Sequence, residues 1–252
     1  MDIIAAATTR LRSLSANRLF EPALAYVHAG GPVYLSQDAE APEIKRNDGA
    51  SNLVLCGHGA KTSGKTSRTR ITFSGSNNLV FLGPHCNTAA TQINVRGDNN
   101  IFYFGAFSTI VNATINLEGP AGTIAVGDEC MLSARIVLSN SDGHAIYDAG
   151  SGDRINLHDD ILIGNHVWLS RDVRVSKGAV IGNDAVIGQA ALVLGNVADG
   201  DLCVGIPART LRSGVTWSRM NAESLGAMTA SSRHSKYLKT KEALRSRIAS
   251  LA

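Results

Sequence analysis

The sequence predicts a mainly β solenoid, a stack of three-sided coils in which each side is a short strand paired in parallel with the strand one coil away. Three observations carry this. Residues 163–198 divide without remainder into six hexads, "IGNHVW", "LSRDVR", "VSKGAV", "IGNDAV", "IGQAAL" and "VLGNVA", with Ile, Leu or Val always first and Val or Ala always fifth. A helix does not put apolar residues at strict multiples of six. One strand and one corner per hexad does, so that three hexads close a coil and the next stacks about 4.8 Å above it. Second, "NNLVFLG", "NNIFYFG" and "GTIAVG" end on Gly83, Gly105 and Gly127 at a spacing of 22, with Gly57 after "NLVLC" as an earlier member. A fixed period of this size marks stacked supersecondary units. Third, the 252 residues are 44% hydrophobic but only 5% aromatic, with 25 glycines. That composition suits a core of small and β-branched side chains with many turns.

In "MDIIAAATTRLRSL", Ile3, Ile4, Ala7, Leu11 and Leu14 keep helical spacing, so residues 1–50 read as a helical or irregular cap. Residues 51–210 form the solenoid. Its longer units read as the same coil with about four extra residues in a loop. The glycines at 164, 182 and 188 suit corners, where a positive φ costs glycine little. Residues 211–252 read as a helical tail, with Leu244, Ile248 and Leu251 at helical spacing. A solenoid has open ends that expose core and strand edges, and terminal helices are expected to cover them or to join a subunit contact.

Residues 59–66, "GAKTSGKT", match the nucleotide-loop pattern G-x-x-x-x-G-K-[ST]. That loop works only when a helix comes directly after it and turns its N-terminal amides on the phosphates. The adjoining "SRTRITFSGSNNLVFLG" is rich in Ser, Thr, Gly and Asn with short β-branched bursts, which is strand and turn material. No apolar strand ending in a magnesium-binding Asp accompanies it. The match reads as a surface loop.

A net charge of +3 is too slight to imply a nucleic-acid partner, and the basic clusters at 61–70 and 233–247 read as solvated faces. Cys56, Cys86, Cys130 and Cys203 show neither metal spacing nor a disulfide framework, which points to reduced thiols and the cytoplasm. No secretory signal and no membrane-spanning run are recognised.

The stretch 139–217, from "SNSDGHAIYD" through the hexads to "CVGIPARTLRSGVTW", resembles the hexapeptide-repeat acyltransferases, and within them the bacterial polysaccharide and polysialic acid O-acetyltransferases. The resemblance implies a left-handed parallel β-helix; ordinary crossover rules alone favour the right hand. It also implies acetyl-CoA as donor, no metal, a saccharide or polysaccharide acceptor, and a homotrimer with its sites between subunits.

Residues 142–160 break the repeat, and a loop inserted into a rigid solenoid is where reactive groups are expected. Acyl transfer to a hydroxyl needs a base that works near neutral pH, and histidine is that residue type. The resemblance implies His144 in this role; without it, a surface histidine is an equal reading. Asp142 either orients His144 or caps the turn. Trp168 takes the outward sixth position of its hexad, where the core does not require it. Its indole N–H donates, and it is read either as a donor to the oxyanion or as an aromatic on the outer wall. The resemblance places the coenzyme arm along Gly188, Gln189, Ala190 and Ala191, with Arg209 of "GIPAR" and Arg212 for phosphate. The usual lysine after the last hexad valine is absent, with Asn196 and Val197 there instead. His158 and His166 lack the spacing of a zinc pair. Rivals to a saccharide O-acetyltransferase are acylation of an amino sugar or other small hydroxyl or amine compound, and a solenoid without chemistry.

Lys65→Ala is expected to leave nucleotide affinity and activity unchanged. Magnesium-dependent ATP binding abolished by that substitution, read by calorimetry, contradicts the surface-loop reading.

Overall fold

In the computed structural model, residues 3–14, 27–64 and 67–219 are described. The C-terminal helical spacing of Leu244, Ile248 and Leu251 lies outside the described residues, as do Lys65 and Thr66. The next element after Lys65 and Thr66 is a strand, Arg70–Ser74.

The hexads form the coils. Their first positions (Ile163, Leu169, Val175, Ile181, Ile187, Val193) and fifth positions (Val167, Val173, Ala179, Ala185, Ala191, Val197) are all buried in one continuous core. Ile163 pairs with Ile181, Leu169 with Ile187 and Val175 with Val193, all in parallel. The chain visits an eight-stranded, a six-stranded and a seven-stranded face in turn. Upstream the step is 22 residues: Leu79 pairs with Ile101 and Ile101 with Thr123. The extra residues do not form the expected loop. They lengthen the seven-stranded face, where Thr91–Arg96 and Ala113–Glu118 each run 6 residues against 3 for Arg174–Ser176.

The corner between the eight- and six-stranded faces shows why glycine recurs. A Cβ on Gly83 would lie 2.7 Å from the Ala106 nitrogen, one on Gly127 2.6 Å from the Gly164 oxygen, and one on Gly164 2.9 Å from the Asn183 nitrogen. Backbone on both sides cannot give way. The positive φ expected of Gly164, Gly182 and Gly188 is carried instead two residues later, by His166, Asp184 and Ala190, and upstream by His85, Phe107 and Glu129. The glycines therefore serve close approach, and non-glycine residues take the left-handed turn at a cost of about 1–2 kcal/mol each.

Two side-chain ladders tie the coils. At the same corner Asp128 accepts the Ala106 N–H (2.7 Å), Asn165 that of Asp128 (2.8 Å), Asn183 that of Asn165 (2.9 Å) and Asp199 that of Asn183 (2.7 Å). At the corner entering the eight-stranded face, Asn52 accepts from Asn78, Asn78 from Asn100, and Asn100 from Gly122. Buried backbone donors that strand pairing leaves over are thereby satisfied.

The N-terminal helix, Ile3–Leu14, is present, but it does not lie over an end. Ala7 and Leu11 pack on Leu55, Leu79, Phe81, Ile101 and Tyr103, on the outer side of the eight-stranded face. That side is apolar, and covering it is what the helix does. The seven-stranded face ends on parallel strands, Glu43–Asp48 and Leu192–Val193, so residues 33–48 belong to the solenoid and not to the expected cap; one edge of each of the other two faces is closed by a strand that reverses direction. Val27–Gly30 runs antiparallel to Val33–Leu35, and Arg209–Arg212 antiparallel to Leu202–Val204. A reversed edge strand is one way to end parallel stacking.

Asp128 stands in a ladder whose next members are Asn165 and Asn183. Burial pushes its carboxyl up to about 7; the Ala106 N–H opposes the rise and the Glu129 charge adds to it. An unfolded Asp titrates near about 3.9, so the folded state holds this proton more tightly. Its contribution to stability is full below about pH 4, falls as pH rises to about 7, and does not recover above that. Asp128→Asn keeps the acceptor and cannot ionise. It is expected to raise the urea midpoint at pH 8 and to flatten its pH dependence between about 4 and 7; midpoints equal to those of the parent chain at both ends contradict this.

Candidate active site

Val126 pairs with Ile163, a step of 37 residues where the next coil takes 18. The surplus is the loop 142–160, which leaves the corner between the seven- and eight-stranded faces. It folds as a hairpin because its middle is turn chemistry. The Asp148 carboxylate accepts the Gly150 and Ser151 N–H groups (2.9 and 2.8 Å), and Gly152 takes a positive φ. Tyr147 and Arg154 face each other across the hairpin, and the Ile155 N–H reaches the Ile146 carbonyl.

Both ends of the loop are clamped. Asn156, buried in an otherwise exposed segment, donates to the Asp142 carboxylate (2.9 Å) and the His144 carbonyl (2.8 Å), and accepts from the Ile146 N–H (2.6 Å). Lys177 on the wall donates to the same Asp142 oxygen at 2.6 Å. At the exit, His158 bonds the Pro120 carbonyl (3.0 Å), and Asp160 accepts from the Thr123 N–H (2.6 Å) and pairs with Arg10 of the N-terminal helix (3.6 Å).

His144 is exposed, and no hydrogen bond from its ring is found among the described residues. Asp142 is two residues away, but its carboxylate is turned to Lys177 and Asn156, which hold it below the usual carboxylate range. The Gly143 N–H goes to the Ser141 hydroxyl. Asp142 thus braces the backbone that carries His144.

Trp168 opens the two-residue strand Trp168–Leu169 on the six-stranded face, a different side of the coil from the loop. Its Nε1 is buried and has no hydrogen-bond partner among the described residues. Trp217 lies beside it, with ring centroids 6.0 Å apart and a tilt of 46°. Gly188 to Ala191 form the corner between the six- and seven-stranded faces. Gln189 and Ala190 are exposed, whereas Ala191 points into the core. A Cβ on Gly188 would meet Val204 at 2.7 Å, so the coil itself needs that glycine. Arg209 and Arg212 are exposed on the closing antiparallel strand. His166 is buried, bonded through Nδ1 to Asp184 (2.9 Å) and stacked on Trp217. Among the described residues no group of three His, Cys, Asp or Glu side chains is placed to hold a metal ion.

No protein-family model matches the chain. A polysialic acid O-acetyltransferase of Escherichia coli O1:K1 / APEC is 30% identical over 102 residues, 40% of this chain and 33% of that one. One of Neisseria meningitidis is 47% identical over 57 residues, 23% of this chain and 26% of that one. These matches span a third or less of the curated relatives. The crystal structure of the polySia-specific acetyltransferase NeuO superposes with a TM-score of 0.62 at 26% identity, over 77% of this chain and 98% of that one. In sequence over the hexads and in fold over most of its length, the chain is similar to these O-acetyltransferases.

Four residues of this hexapeptide-repeat chain that matter to the site geometry were not singled out from the sequence: Asn156, Lys177, Trp217 and Arg219. Trp217 carried a signal, being the second of only two tryptophans. Asn156 and Lys177 carried none, since a polar residue in a polar loop and a lysine in a hexad look like solvated surface.

Asn156→Ala removes four loop bonds at once, the fourth being that from Arg154 Nε (3.4 Å), and leaves the solenoid core untouched. Amides at 143–157 are expected to exchange with solvent at least about tenfold faster, since each lost bond is worth about 1 kcal/mol, while the global unfolding midpoint moves little. Unchanged exchange contradicts the bracing role.

Proposed function

We propose that this chain is an acetyl-CoA-dependent O-acetyltransferase that transfers an acetyl group to a hydroxyl of a saccharide of the bacterial surface or capsular polysaccharide type. The observation that carries the reading is His144. It is an exposed imidazole with no competing hydrogen bond among the described residues, on a backbone braced by Asn156, Asp142 and Lys177, in a chain alike over most of its length to a polySia-specific acetyltransferase.

In this mechanism His144 accepts the proton of the acceptor hydroxyl as its oxygen attacks the thioester carbonyl. The Trp168 N–H, a buried donor with no partner among the described residues, stabilises the oxyanion. Collapse of the tetrahedral intermediate breaks the C–S bond, and the departing thiolate takes the proton back from the imidazolium. Gln189 and Ala190 line the path of the coenzyme arm, and Arg209 and Arg212 meet its phosphates.

The assembly is a homotrimer with sites between subunits. Two observations support this. His144 and Trp168 lie on different sides of one coil, so a neighbouring subunit is needed to bring such residues together. Beside His144 the loop presents Ile146, Tyr147, Ile155 and Leu157, each more than half exposed, an apolar cluster that a neighbour would cover. The buried free cysteines fit a reducing cytoplasm, and no helix among the described residues is long and apolar enough to cross a membrane.

Release of coenzyme A, monitored against a panel of sugars, oligosaccharides and polysaccharides, tests the reading. With an acceptor found, His144→Ala is expected to lower kcat by about 10²–10⁴ with coenzyme affinity nearly unchanged and the coil folded. Trp168→Phe keeps the ring face and loses the donor, and its effect should fall on kcat by up to about 10²–10³. A loss confined to KM assigns Trp168 to acceptor packing instead. Normal turnover by His144→Ala excludes the mechanism whatever the fold.

A further inference from the structure

Trp168 is the donor on which the proposed mechanism relies, yet nothing on its own two-residue strand orients it. Its N–H finds no acceptor among the described residues, so packing must set the direction of the ring. The aromatic beside it belongs to residues 213–219, which come after the last coil and run back across the wall. The Val215 N–H reaches the Gly200 carbonyl at 2.8 Å, and two residues later Trp217 lies buried against Trp168.

Trp217 is itself held on several sides. Its Nε1–H donates to the His166 carbonyl at 2.7 Å. Its ring stacks nearly parallel on the His166 imidazole, with centroids 4.3 Å apart and planes at 5°. The Arg219 guanidinium sits 5.8 Å from its centroid, within reach of the ring's negative face. Arg219 is anchored far from Trp217 in sequence. It donates to the Cys130 carbonyl (2.6 Å), the Thr109 hydroxyl (2.8 Å), and the Glu129 and Phe107 carbonyls (3.3 and 3.4 Å). The guanidinium fork is what lets one side chain reach acceptors on two successive coils. A strap needed only to seal the wall requires apolar cover. This one fixes a single ring by a directed hydrogen bond, a stack and a cation, next to the one indole whose donor is left over.

We propose that Trp217, clamped by Arg219, is a positioning residue that sets the orientation of the Trp168 indole. The functional consequence rests on the reading of Trp168 as oxyanion donor; the positioning itself does not.

The test uses the full chain labelled with 5-fluorotryptophan. The chain has two tryptophans, so Trp168→Phe assigns both fluorine resonances. In the parent chain Trp168 is expected to give one narrow line. In Trp217→Phe, which keeps an aromatic ring but loses the bond to the His166 carbonyl, and in Arg219→Ala, which keeps both indoles, the Trp168 line is expected to split or broaden as the ring samples other rotamers. With an acceptor in hand, kcat should fall about 10- to 100-fold, as for a misplaced catalytic group, while KM for acetyl-CoA holds within about twofold. Arg219→Lys, which keeps the cation without the fork, should fall between.

One narrow Trp168 line in both Trp217→Phe and Arg219→Ala overturns the proposal. If Trp217→Phe does not fold, Arg219→Ala decides alone. A split line with unchanged kcat upholds the positioning and removes Trp168 from the transition state. A parent chain that acetylates nothing counts against the proposed function, and the fluorine spectra still decide the positioning.

Discussion

Where the eight-stranded face turns into the six-stranded face, successive coils lie so close that no side chain fits between their backbones. Gly57, Gly83, Gly105, Gly127, Gly164 and Gly182 form the column that this contact requires, each with backbone of the next coil inside the space of a Cβ. The rest of the architecture depends on it. The turn must be completed two residues later by a left-handed residue, and His85, Phe107, Glu129, His166 and Asp184 accept that conformation. The amides left without strand partners are taken up by the Asp128–Asn165–Asn183–Asp199 ladder. With the corner held, coil length changes elsewhere: in the longer strands of the seven-stranded face, in the excursion bridged by Ser63 and Arg68, and in the loop 142–160.

That loop is where the chain departs from its repeat. A coil wall directs small aliphatic side chains inward and pairs its backbone, so it offers chemistry little. The loop 142–160 is attached at the corner between the seven- and eight-stranded faces, and it is braced as the walls are, by side chains bonding backbone. Asn156 and Lys177 perform for the loop what the asparagine ladder performs for the coils. Arg10 extends the bracing outward, since its pairing with Asp160 joins the N-terminal helix to the loop exit. The helix thereby covers an apolar wall and is tied to the loop exit at Asp160.

The six-stranded face has a different arrangement. Its wall carries Trp168, and residues 213–219 return over it, with Trp217 beside Trp168 and Arg219 on the carbonyls of earlier coils. A segment after the last repeat becomes part of the wall it crosses. His166 shows how these roles coincide in one residue: its backbone takes the left-handed turn, its ring bonds Asp184 and stacks on Trp217, and its carbonyl receives the Trp217 N–H.

The periodic part of this protein was legible in its sequence because stacking repeats one physical demand at every coil. Ile, Leu or Val at each first position and Val or Ala at each fifth are buried as their spacing implied. The break at 142–160 stood out for the same reason, but it holds two histidines, His144 and His158, and only the resemblance to hexapeptide-repeat acyltransferases singled out His144. The N-terminal helix was legible from its period, but its destination was not, since an apolar stripe fits an open end as well as the outer wall. The role of glycine at the corners was also decided in three dimensions: the letters at Gly164 and Gly182 suit a positive φ and a close contact alike, and only the neighbouring coil distinguishes them. The bonds of Asp142 to Lys177 and Asn156, and the contact of Trp217 with Trp168, join residues 14 to 49 positions apart outside any repeat. No local pattern encodes such pairs, because what brings them together is the path of the loop and of the returning segment across a wall built by other residues.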